Sequence, residues 1–410
     1  MNERTTCVVI GGGPAGLVLG LLLARAGVEV TVLEKHADFL RDFRGDTVHP
    51  STIRLLDDLG LGDRFALLPQ TRLTEVAFPA SDGGRVVVGD LKRLARFGHP
   101  HPYIAITPQW DLLRLLADAA AEEPCFTLRM RSEVTELVKD RGQVRGVRYR
   151  TEDGATHTLL ADLTVACDGR WSLARAQAGL RPKEAPVPMD VWWFRLGRNP
   201  GEGPDRLQPH IRGSRFALTI PRRDFYQVAY LARKGMDTEL RERGIEAFRR
   251  DVAELLPHLA DRVHELTTMD DVKHLDVRLN RLERWHTAGL LCIGDAAHAM
   301  SPVGGVGINL AVQDAVAAAR LLAGPLRRGQ VDERALAAVR RRRIMPTIVV
   351  QGLQRLLHRV VVAPVMDGRR SGPPKPFTAL MRRAPWLSTV PAVIIGVGPR
   401  PERAPVFARR

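Results

Sequence analysis

The chain has 410 residues, a length that corresponds to about two or three domains of ordinary size. Hydrophobic residues make up 45% and charged residues 26%, which is a globular composition and excludes disorder over most of the chain. The net charge is +15, but only seven of the 61 basic residues are lysine and most of the arginines are dispersed, so we expect an anionic cofactor or substrate and no nucleic acid.

An uncharged stretch near the N-terminus, Thr5–Ala24, has the length of a signal peptide or a membrane span. A cluster of glycines with Pro14 interrupts it, which a continuous helix would not tolerate. The stretch instead predicts strand Cys7–Ile10, a glycine turn and helix Ala15–Ala26, followed by a second strand at Glu29–Leu33. Since no other stretch reaches about 18 consecutive apolar residues, we predict no stable membrane insertion.

The strand, turn and helix carry the G-x-G-x-x-G sequence in the context of a dinucleotide-binding βαβ unit. Gly11 permits the tight turn, Gly13 lets backbone N–H groups approach a pyrophosphate, and Gly16 lets the helix pack closely on the strand. Glu34 ends the second strand, where a carboxylate accepts hydrogen bonds from ribose hydroxyls. The residues predicted to contact the dinucleotide here are Gly11, Gly13, Pro14, Ala15, Gly16, Glu34 and Lys35.

The rest of the chain predicts alternating helices and strands. We predict, in chain order, helix Pro50–Leu59, a hairpin over Leu73–Gly89 that turns at Asp82-Gly83-Gly84, helix Trp110–Ala121, a meander of strands Val134–Lys139, Val144–Tyr149 and Thr156–Leu160, and a buried strand, Leu163–Cys167. We then predict strands Val187–Arg195 and Phe225–Ala232, helix Thr238–Leu256, strand Leu290–Ile293 and helix Leu310–Leu322. From Asp332 the chain is helical and arginine-rich, then rich in proline, and the apolar segment Val393–Gly398 is expected to dock on the body of the protein.

Two further motifs follow strand ends far downstream. The first, at Cys167–Arg175, opens with an Asp-Gly pair that an ordinary turn would also explain. The second, at Gly294–Asn309, begins with a Gly-Asp pair and ends in a glycine-rich loop before a helix. A carboxylate at a strand end accepts hydrogen bonds from hydroxyls, and glycines let a flat ring approach the backbone beside a positive helix N-terminus. An ordinary strand–loop–helix connection is the alternative, although a buried aspartate without a ligand is costly.

In these three motifs, their order and their separations, residues 5–325 resemble the flavoprotein aromatic hydroxylases, the FAD-dependent single-component monooxygenases typified by p-hydroxybenzoate hydroxylase. The resemblance implies an α/β fold with a discontinuous Rossmann-like FAD-binding domain, an inserted mixed-sheet substrate domain and a helical C-terminal segment. It implies non-covalent FAD with NADPH or NADH as co-substrate. It also implies that a flavin C4a-hydroperoxide, formed with O₂, hydroxylates an aromatic, polyketide-like or other electron-rich small molecule.

The resemblance assigns roles to residues outside the first motif. Arg44 is expected at the pyrophosphate, Gln109 near the ribityl and adenosine portions, and Asp295 at the ribityl chain. His49 is a candidate for the mouth of the flavin site, with a histidine at a helix entry or in the core as the ordinary alternative; catalytic residues are otherwise unassigned. The remaining residues expected to hold the cofactor are Asp168, Gly169, Pro302, Gly305, Gly307, Ile308 and Asn309.

Further details refine this interpretation. Asp168 is also expected to orient Arg175, and His298 to support its own loop. Val306 stands where many members of the family have a polar residue, usually glutamine. The segment Trp192–Phe194 does not match the W-x-W-x-I-P signature of related halogenases, and the chain does not extend to the thioredoxin-like domain of the phenol hydroxylase branch.

The expected domains follow from the motif positions. Residues 1–71, 104–180 and 278–330 should form the FAD-binding domain, 72–103 and 181–277 the substrate domain, and 331–410 a helical segment and tail. Three other functions stay open: an FAD-dependent reductase or dehydrogenase of the polyprenyl reductase type, a non-catalytic flavin-binding protein and, outside flavin chemistry and against the expectation from the dispersed charge, a basic nucleic-acid-binding module. The four cysteines are too scattered for a disulfide framework or a metal clip, so we expect a cytoplasmic protein without a metal site.

Overall fold

The structure is a computed structural model that describes residues 3–40, 46–79, 84–203, 206–370 and 372–410. Its strands are β1 (Glu3–Ile10), β2 (Val30–Leu33), β3 (Thr47–Val48), β4 (Thr71–Leu73), β5 (Glu75–Pro79), β6 (Arg85–Asp90), β7 (Ile104–Ile106), β8 (Phe126–Arg129), β9 (Glu133–Asp140), β10 (Gln143–Arg150), β11 (Thr156–Ala166), β12 (Pro182–Ala185), β13 (Met189–Gly197), β14 (Gln208–Arg212), β15 (Arg215–Pro221), β16 (Phe225–Arg233), β17 (Lys273–Leu275), β18 (Leu279–Leu282), β19 (His286–Thr287) and β20 (Leu290–Cys292). Its α-helices are α1 (Pro14–Arg25), α2 (Pro50–Asp58), α3 (Gly62–Ala66), α4 (Gln109–Ala121), α5 (Leu173–Gln177), α6 (Asp237–Glu242), α7 (Gly244–Leu255), α8 (Gly307–Arg327), α9 (Glu333–Leu357), α10 (Ala363–Met366), α11 (Lys375–Arg383) and α12 (Thr389–Ala392).

A central sheet brings the three predicted motifs to one edge. Its strands lie in the order β19-β20-β11-β1-β2-β8, and β10 and β9 extend it antiparallel from β11. Ile10, Ala166 and Cys292 lie side by side in register at the ends of the parallel strands β1, β11 and β20. Because the carboxyl ends of parallel strands meet at one edge, the loops that begin at Gly11, Cys167 and Ile293 are neighbours.

The structure corrects two strand predictions. The predicted strands Thr156–Leu160 and Leu163–Cys167 are one strand, β11, whose first half pairs with β10 and whose second half lies between β1 and β20. The strand continues through Asp162 because that carboxylate is 32% exposed and pairs with Arg4 at 2.7 Å. In the predicted hairpin, only β5 and β6 pair with each other, β4 joins β7 instead, and most of the turn lies outside the described residues.

Two helix predictions also change. The predicted single helix Thr238–Leu256 is two helices, α6 and α7, because Gly244 adopts a φ of +76° at their junction. Helix α8 begins at Gly307, three residues before the predicted Leu310, so its first turn belongs to the glycine-rich loop.

The inserted sheet is antiparallel throughout, in the order β14-β15-β16-β13-β17, and its two faces differ. Strands β14 and β15 were not predicted. On one face, Trp192 and Phe194 are buried beneath α7, where Phe194 meets Phe248 edge-on with ring centroids 5.5 Å apart. On the other face, Trp193 packs with apolar residues of β15, β16 and the C-terminal helices.

The C-terminal region packs back on the central domain. Glu402 is buried and accepts two hydrogen bonds from Arg342, at 2.6 and 2.8 Å, and Arg403 pairs with Asp58. The segment Val393–Gly398 packs as predicted on the body of the protein. Among the described residues, one helical stretch, Glu333–Met366, is long and apolar enough to cross a membrane, and 33% of its apolar window is buried.

Candidate cofactor site

The first loop at the sheet edge accepts only glycine at two positions. Gly11 has a φ of +102°, and a Cβ there would lie 2.7 Å from the Cys167 carbonyl oxygen. A Cβ on Gly16 would lie 2.0 Å from the Gly11 carbonyl oxygen, so α1 packs directly on the turn. Beside Gly13, which caps α1, a Cβ would meet no atom within 4 Å. The first turn of α1 therefore faces open space, where its backbone N–H groups can meet an anion.

Glu34 closes the same space from the end of β2. Its buried carboxylate accepts hydrogen bonds from the backbone N–H groups of Gly12 at 2.8 Å and His36 at 3.0 Å. His36 Nδ1 also lies 2.6 Å from Glu34 Oε1. These contacts fix the carboxylate at the end of β2, the position from which a dinucleotide-binding fold contacts the ribose. The neighbouring Lys35 is exposed.

The predicted pyrophosphate residue, Arg44, lies outside the described residues. Gln109 begins α4, and its backbone N–H lies 3.4 Å from Asp46 Oδ1. Asp46 is buried and paired with Arg222 of the inserted sheet; burial raises the pKa of Asp46, although Arg222 opposes this. This ion pair joins the two parts of the fold. Sequence reasoning does not predict it, because its members are 176 residues apart.

The second loop is tied to the third through Arg175. Its guanidinium donates to the carbonyl oxygens of Arg170 at 2.6 Å and Ala296 at 3.1 Å. Asp168 was expected to orient Arg175, and the two side chains attract each other by charge, although no hydrogen bond joins them. Asp168 Oδ2 accepts a hydrogen bond from the backbone N–H of Ala174 and so stabilises the start of α5. Asp168 Oδ1 is buried without a hydrogen-bond partner, and burial raises the pKa of this carboxyl.

The third loop carries Asp295, whose side chain is 31% exposed and lies 3.6 Å from Arg170. The same loop is supported from beneath by His298, which is buried with its Nε2 2.5 Å from Asp314 Oδ2. Asp314 also accepts hydrogen bonds from the Gly294 N–H and from Arg343. Burial alone would raise the pKa of Asp314, but His298 and Arg343 lower it. Asp295 therefore faces outward from a rigid base.

The glycine loop, Pro302–Gly307, is held from one side by the start of α2. The Gly305 carbonyl accepts hydrogen bonds from Thr47 Oγ1 at 2.8 Å and His49 Nε2 at 2.9 Å. Gly305 has a φ of +63°, and a Cβ on it would lie 2.5 Å from Thr47 Oγ1. His49 is fully buried, which lowers its pKa to about 4. His49 is thus a neutral donor behind the loop, not a residue exposed at the mouth of the site.

The other side of the loop is held by α9. Gln354 accepts a hydrogen bond from the Ser301 N–H and donates to the carbonyl oxygens of Ser301 and Val303, both at 2.8 Å. His358 Nε2 lies 2.8 Å from Ser301 Oγ. These contacts were not predicted. The signal in the sequence is a row of polar residues spaced three or four apart, which places them on one side of a helix: Arg343, Thr347, Gln351, Gln354 and His358.

The first turn of α8 completes the site. Asn309 Oδ1 accepts hydrogen bonds from Ser51 and Thr52 of α2 at 2.8 and 2.7 Å. The first α8 residue whose N–H bonds within the chain is Leu310, to the Val306 carbonyl. The preceding N–H groups, of Gly307, Ile308 and Asn309, stand at the positive end of the helix.

These features fit FAD. The open turn beside Gly13 suits a pyrophosphate, the exposed edge of Asp295 suits a hydroxyl, and the unpartnered Asp168 Oδ1 is the kind of buried acceptor that a bound group or water satisfies. The rigid glycine loop and the α8 N-terminus suit a flat ring that carries negative charge when reduced. Within the described ranges, no group of three or more His, Cys, Asp or Glu side chains is arranged to hold a metal ion.

Comparison with known proteins agrees with this fit. The family described as the FAD binding domain matches residues 4–352. The 6-methylpretetramide 4-monooxygenase of Streptomyces rimosus is 34% identical over 95% of this chain and 91% of its own length. The structure of the OxyS anhydrotetracycline hydroxylase of Streptomyces rimosus superposes with a TM-score of 0.74 at 25% identity, covering 96% of this chain and 76% of that one.

A more distant structure has the same fold. The p-nitrophenol 4-monooxygenase PnpA of Pseudomonas putida DLL-E4 superposes with a TM-score of 0.76 at 22% identity, covering 96% of this chain and 97% of that one. The family resemblance drawn from the three motifs is confirmed, and so is the α/β fold. The chain belongs to the FAD-binding-domain family of flavoproteins and is an FAD-dependent monooxygenase.

Proposed function

We propose that this monooxygenase hydroxylates a polycyclic aromatic compound of the polyketide type, with NAD(P)H as reductant and O₂ as the source of the oxygen atom. Two similar proteins are named for tetracyclic substrates of this kind, 6-methylpretetramide and anhydrotetracycline. Neither a reductase nor a non-catalytic flavin protein gains comparable support. The four cysteines are free, which favours the cytoplasmic location expected from their spacing.

The observation that carries the substrate proposal is the apolar cluster between the inserted sheet and the glycine loop. Trp193 and Val303 pack against the same cluster, which includes Phe216, Ala229 and Leu231. Trp193 Nε1 is buried and has no hydrogen-bond partner among the described residues. An apolar wall with one unsatisfied donor suits a flat aromatic molecule that presents a carbonyl or phenol oxygen.

When bound, FAD would supply the redox chemistry, which is the transfer of reducing equivalents from NAD(P)H to O₂. We assign the pyrophosphate to the first turn of α1 with Gly13, Pro14 and Ala15, and the ribose to Glu34. We assign the ribityl chain to Asp295. The flavin ring belongs against the glycine loop and the α8 N-terminus, whose dipole stabilises negative charge on the ring. The other residues predicted for the cofactor remain proposals: Lys35, Arg44, Gln109, Asp168 and Gly169.

The C-terminal segment covers part of the glycine loop and excludes water from it. Ile394 and Ile395 pack against a cluster that contains Val306 and Leu310, and a Cβ on Gly304 would lie 3.4 Å from Ile395 Cδ1. An apolar cover of this kind favours oxygen transfer over the release of hydrogen peroxide, because water is kept from the reacting atoms. We propose that residues 1–71, 104–180 and 278–330 form the FAD-binding domain, and that this cover belongs to the C-terminal segment, 331–410.

The test is oxygenation of a defined substrate by the purified holoenzyme. NAD(P)H oxidation is measured with 6-methylpretetramide, with anhydrotetracycline and with simple phenols, under isotopically labelled O₂. We expect faster oxidation with a tetracyclic compound and a product that carries one labelled oxygen atom. Hydrogen peroxide as the sole product with every tetracyclic compound would rule out the proposed substrate class while leaving FAD dependence intact.

A further inference from the structure

The monooxygenase site leaves one large surface without a role: the outward side of α9 and of the helices that follow it. The inward side of α9 and of the residue that follows it is mixed: the apolar Leu336, Val339 and Val350 are buried there, beside five polar side chains that are at most 4% exposed, Arg343, Thr347, Gln351, Gln354 and His358. The outward side carries exposed apolar side chains instead, with Met345 at 44%, Ile348 at 46% and Leu356 at 57%. Exposed apolar side chains in a row on the outward side are unusual, because an ordinary surface helix turns its apolar side to the core.

The same surface is basic. Between Arg334 and Met366 the sequence contains no aspartate or glutamate. Arg341, Arg355 and Arg359 are exposed on α9 and beside its C-terminal end. An apolar stripe flanked by cations and lacking anions is typical of a helix that lies on an anionic surface.

The surface continues beyond α9. A groove lined by Arg359 and Val360 on one side and by Arg370 and Pro374 on the other joins the end of α9 to the start of α11. Four more large apolar side chains are exposed from there on: Phe377, Leu380, Trp386 and Val390. Half of the fourteen large hydrophobic side chains that are exposed in the described part of the chain fall within residues 345–390. The same segment holds seven basic residues and one acidic residue, so apolar exposure and positive charge coincide.

We propose that this surface, which we name the basic apolar face (Met345, Ile348, Leu356, Phe377, Leu380, Trp386 and Val390 with the arginines between them), docks on an anionic lipid bilayer. The apolar side chains enter the interfacial layer, where tryptophan is favoured, and the arginines meet the headgroups. The proposal concerns location alone and does not depend on the identity of the substrate.

The helix lies along the bilayer and does not cross it. Crossing would withdraw Arg343 from Asp314 and Gln354 from Ser301, which leaves a buried charge and buried polar groups unpaired.

A second copy of the chain is a poorer occupant of the face than a lipid surface. A symmetric pairing through the face would place the arginines of one copy against those of the other.

The experiment is co-sedimentation of the full-length holoenzyme with lipid vesicles. We expect binding to vesicles of equal parts phosphatidylcholine and phosphatidylglycerol, weaker binding at high salt, and no binding to phosphatidylcholine alone. Because a protein of net charge +15 is attracted to any anionic surface, the decisive variants leave the charge unchanged. Trp386→Ser and Leu356→Ser should each lower the vesicle partition constant by at least about tenfold, the effect of losing one buried apolar side chain.

The matched controls are Leu67→Ser and Val406→Ser, at apolar side chains that are 86% and 81% exposed but lie outside the face. They should bind vesicles as the unsubstituted protein does, and FAD content should be equal in all four variants, which shows that each folds. Equal vesicle binding by all four variants would reduce the interaction to non-specific charge and overturn the proposal. A dimer in solution that Trp386→Ser dissociates would overturn it in favour of a second copy.

Discussion

His49 Nε2 lies 2.9 Å from the carbonyl oxygen of Gly305 and donates to it. The contact links the residue that caps α2 to the middle of the glycine loop, 256 residues farther along the chain. Because a carbonyl only accepts, the proton must reside on Nε2, and Nδ1 is left buried without a partner. A charged imidazole would lose its hydration in this fully buried position, so the loop is held by the neutral form.

The first prediction is that protonation of His49 destabilises the fold. The unfolded chain binds this proton with the ordinary pKa of 6.5, whereas burial lowers the pKa in the folded protein to about 4. Between these values the unfolded state binds more protons, so stability is intact above pH 6.5 and falls by up to about 3 kcal/mol as the pH falls toward 4. His49→Gln, which retains a donor but does not titrate, should make the pH dependence of urea unfolding shallower. His264→Gln, at an exposed side chain, is the control. Parallel pH profiles for the original protein and His49→Gln would contradict the prediction.

The second prediction is that Asp295→Ala weakens non-covalent FAD binding. A hydrogen bond from a hydroxyl to a carboxylate contributes about 1.5–3 kcal/mol, and partial exposure reduces this, so we expect about a tenfold loss of affinity. Asp162→Ala is the matched control, because Asp162 is equally exposed, at 32% against 31%, but lies away from the cofactor edge. Fluorescence titration of each apoprotein with FAD measures the affinity of both variants. Equal affinity in the two variants would remove Asp295 from the site.

The third prediction separates two adjacent tryptophans on opposite faces of β13. Trp193→Phe keeps an aromatic ring but removes the unpartnered indole N–H, so we expect KM for the substrate to rise about tenfold with little change in stability. Trp192→Phe removes a hydrogen bond of 2.8 Å to Asp237 on the helix side, so stability should fall by about 1 kcal/mol with KM unchanged. Steady-state kinetics measures KM, and urea unfolding measures the stability, of both variants. A KM that is unchanged in Trp193→Phe would place the substrate elsewhere.

The fourth prediction concerns the hydrogen bonds by which α9 holds the glycine loop. Gln354→Met keeps the volume of the side chain but removes three hydrogen bonds to the backbone of Ser301 and Val303. We expect a larger share of the NAD(P)H consumed to appear as hydrogen peroxide, because a loose loop admits water. Gln177→Met is the control, since Gln177 clamps β9 through two similar hydrogen bonds far from the loop. Peroxide yields that rise equally in both variants would indicate a general loss of stability.

The sequence predicts what local spacing and the parallel sheet determine. The positions of Gly11, Asp168 and Asp295 after three short apolar runs suffice to predict that their loops meet, since the ends of parallel strands share an edge. The sequence does not predict the contacts that make the edge rigid. Gln354 and the Asp46–Arg222 pair join segments more than 50 and 170 residues apart, and no local periodicity records such a pairing.

The return of the C-terminal tail to the first helices has a kinetic consequence. Arg25 donates to the carbonyl oxygen of Ala408, 383 residues away, and Arg403 pairs with Asp58 across 345 residues. Contacts between such distant segments require the closure of long loops before they contribute any stability, so domains that depend on them fold slowly. The buried carboxylate of Glu402 finds its arginine partners only when this closure is complete. We therefore expect the cofactor edge to become rigid late in folding, after both sheets have formed, and FAD added during refolding to be captured in the slowest phase.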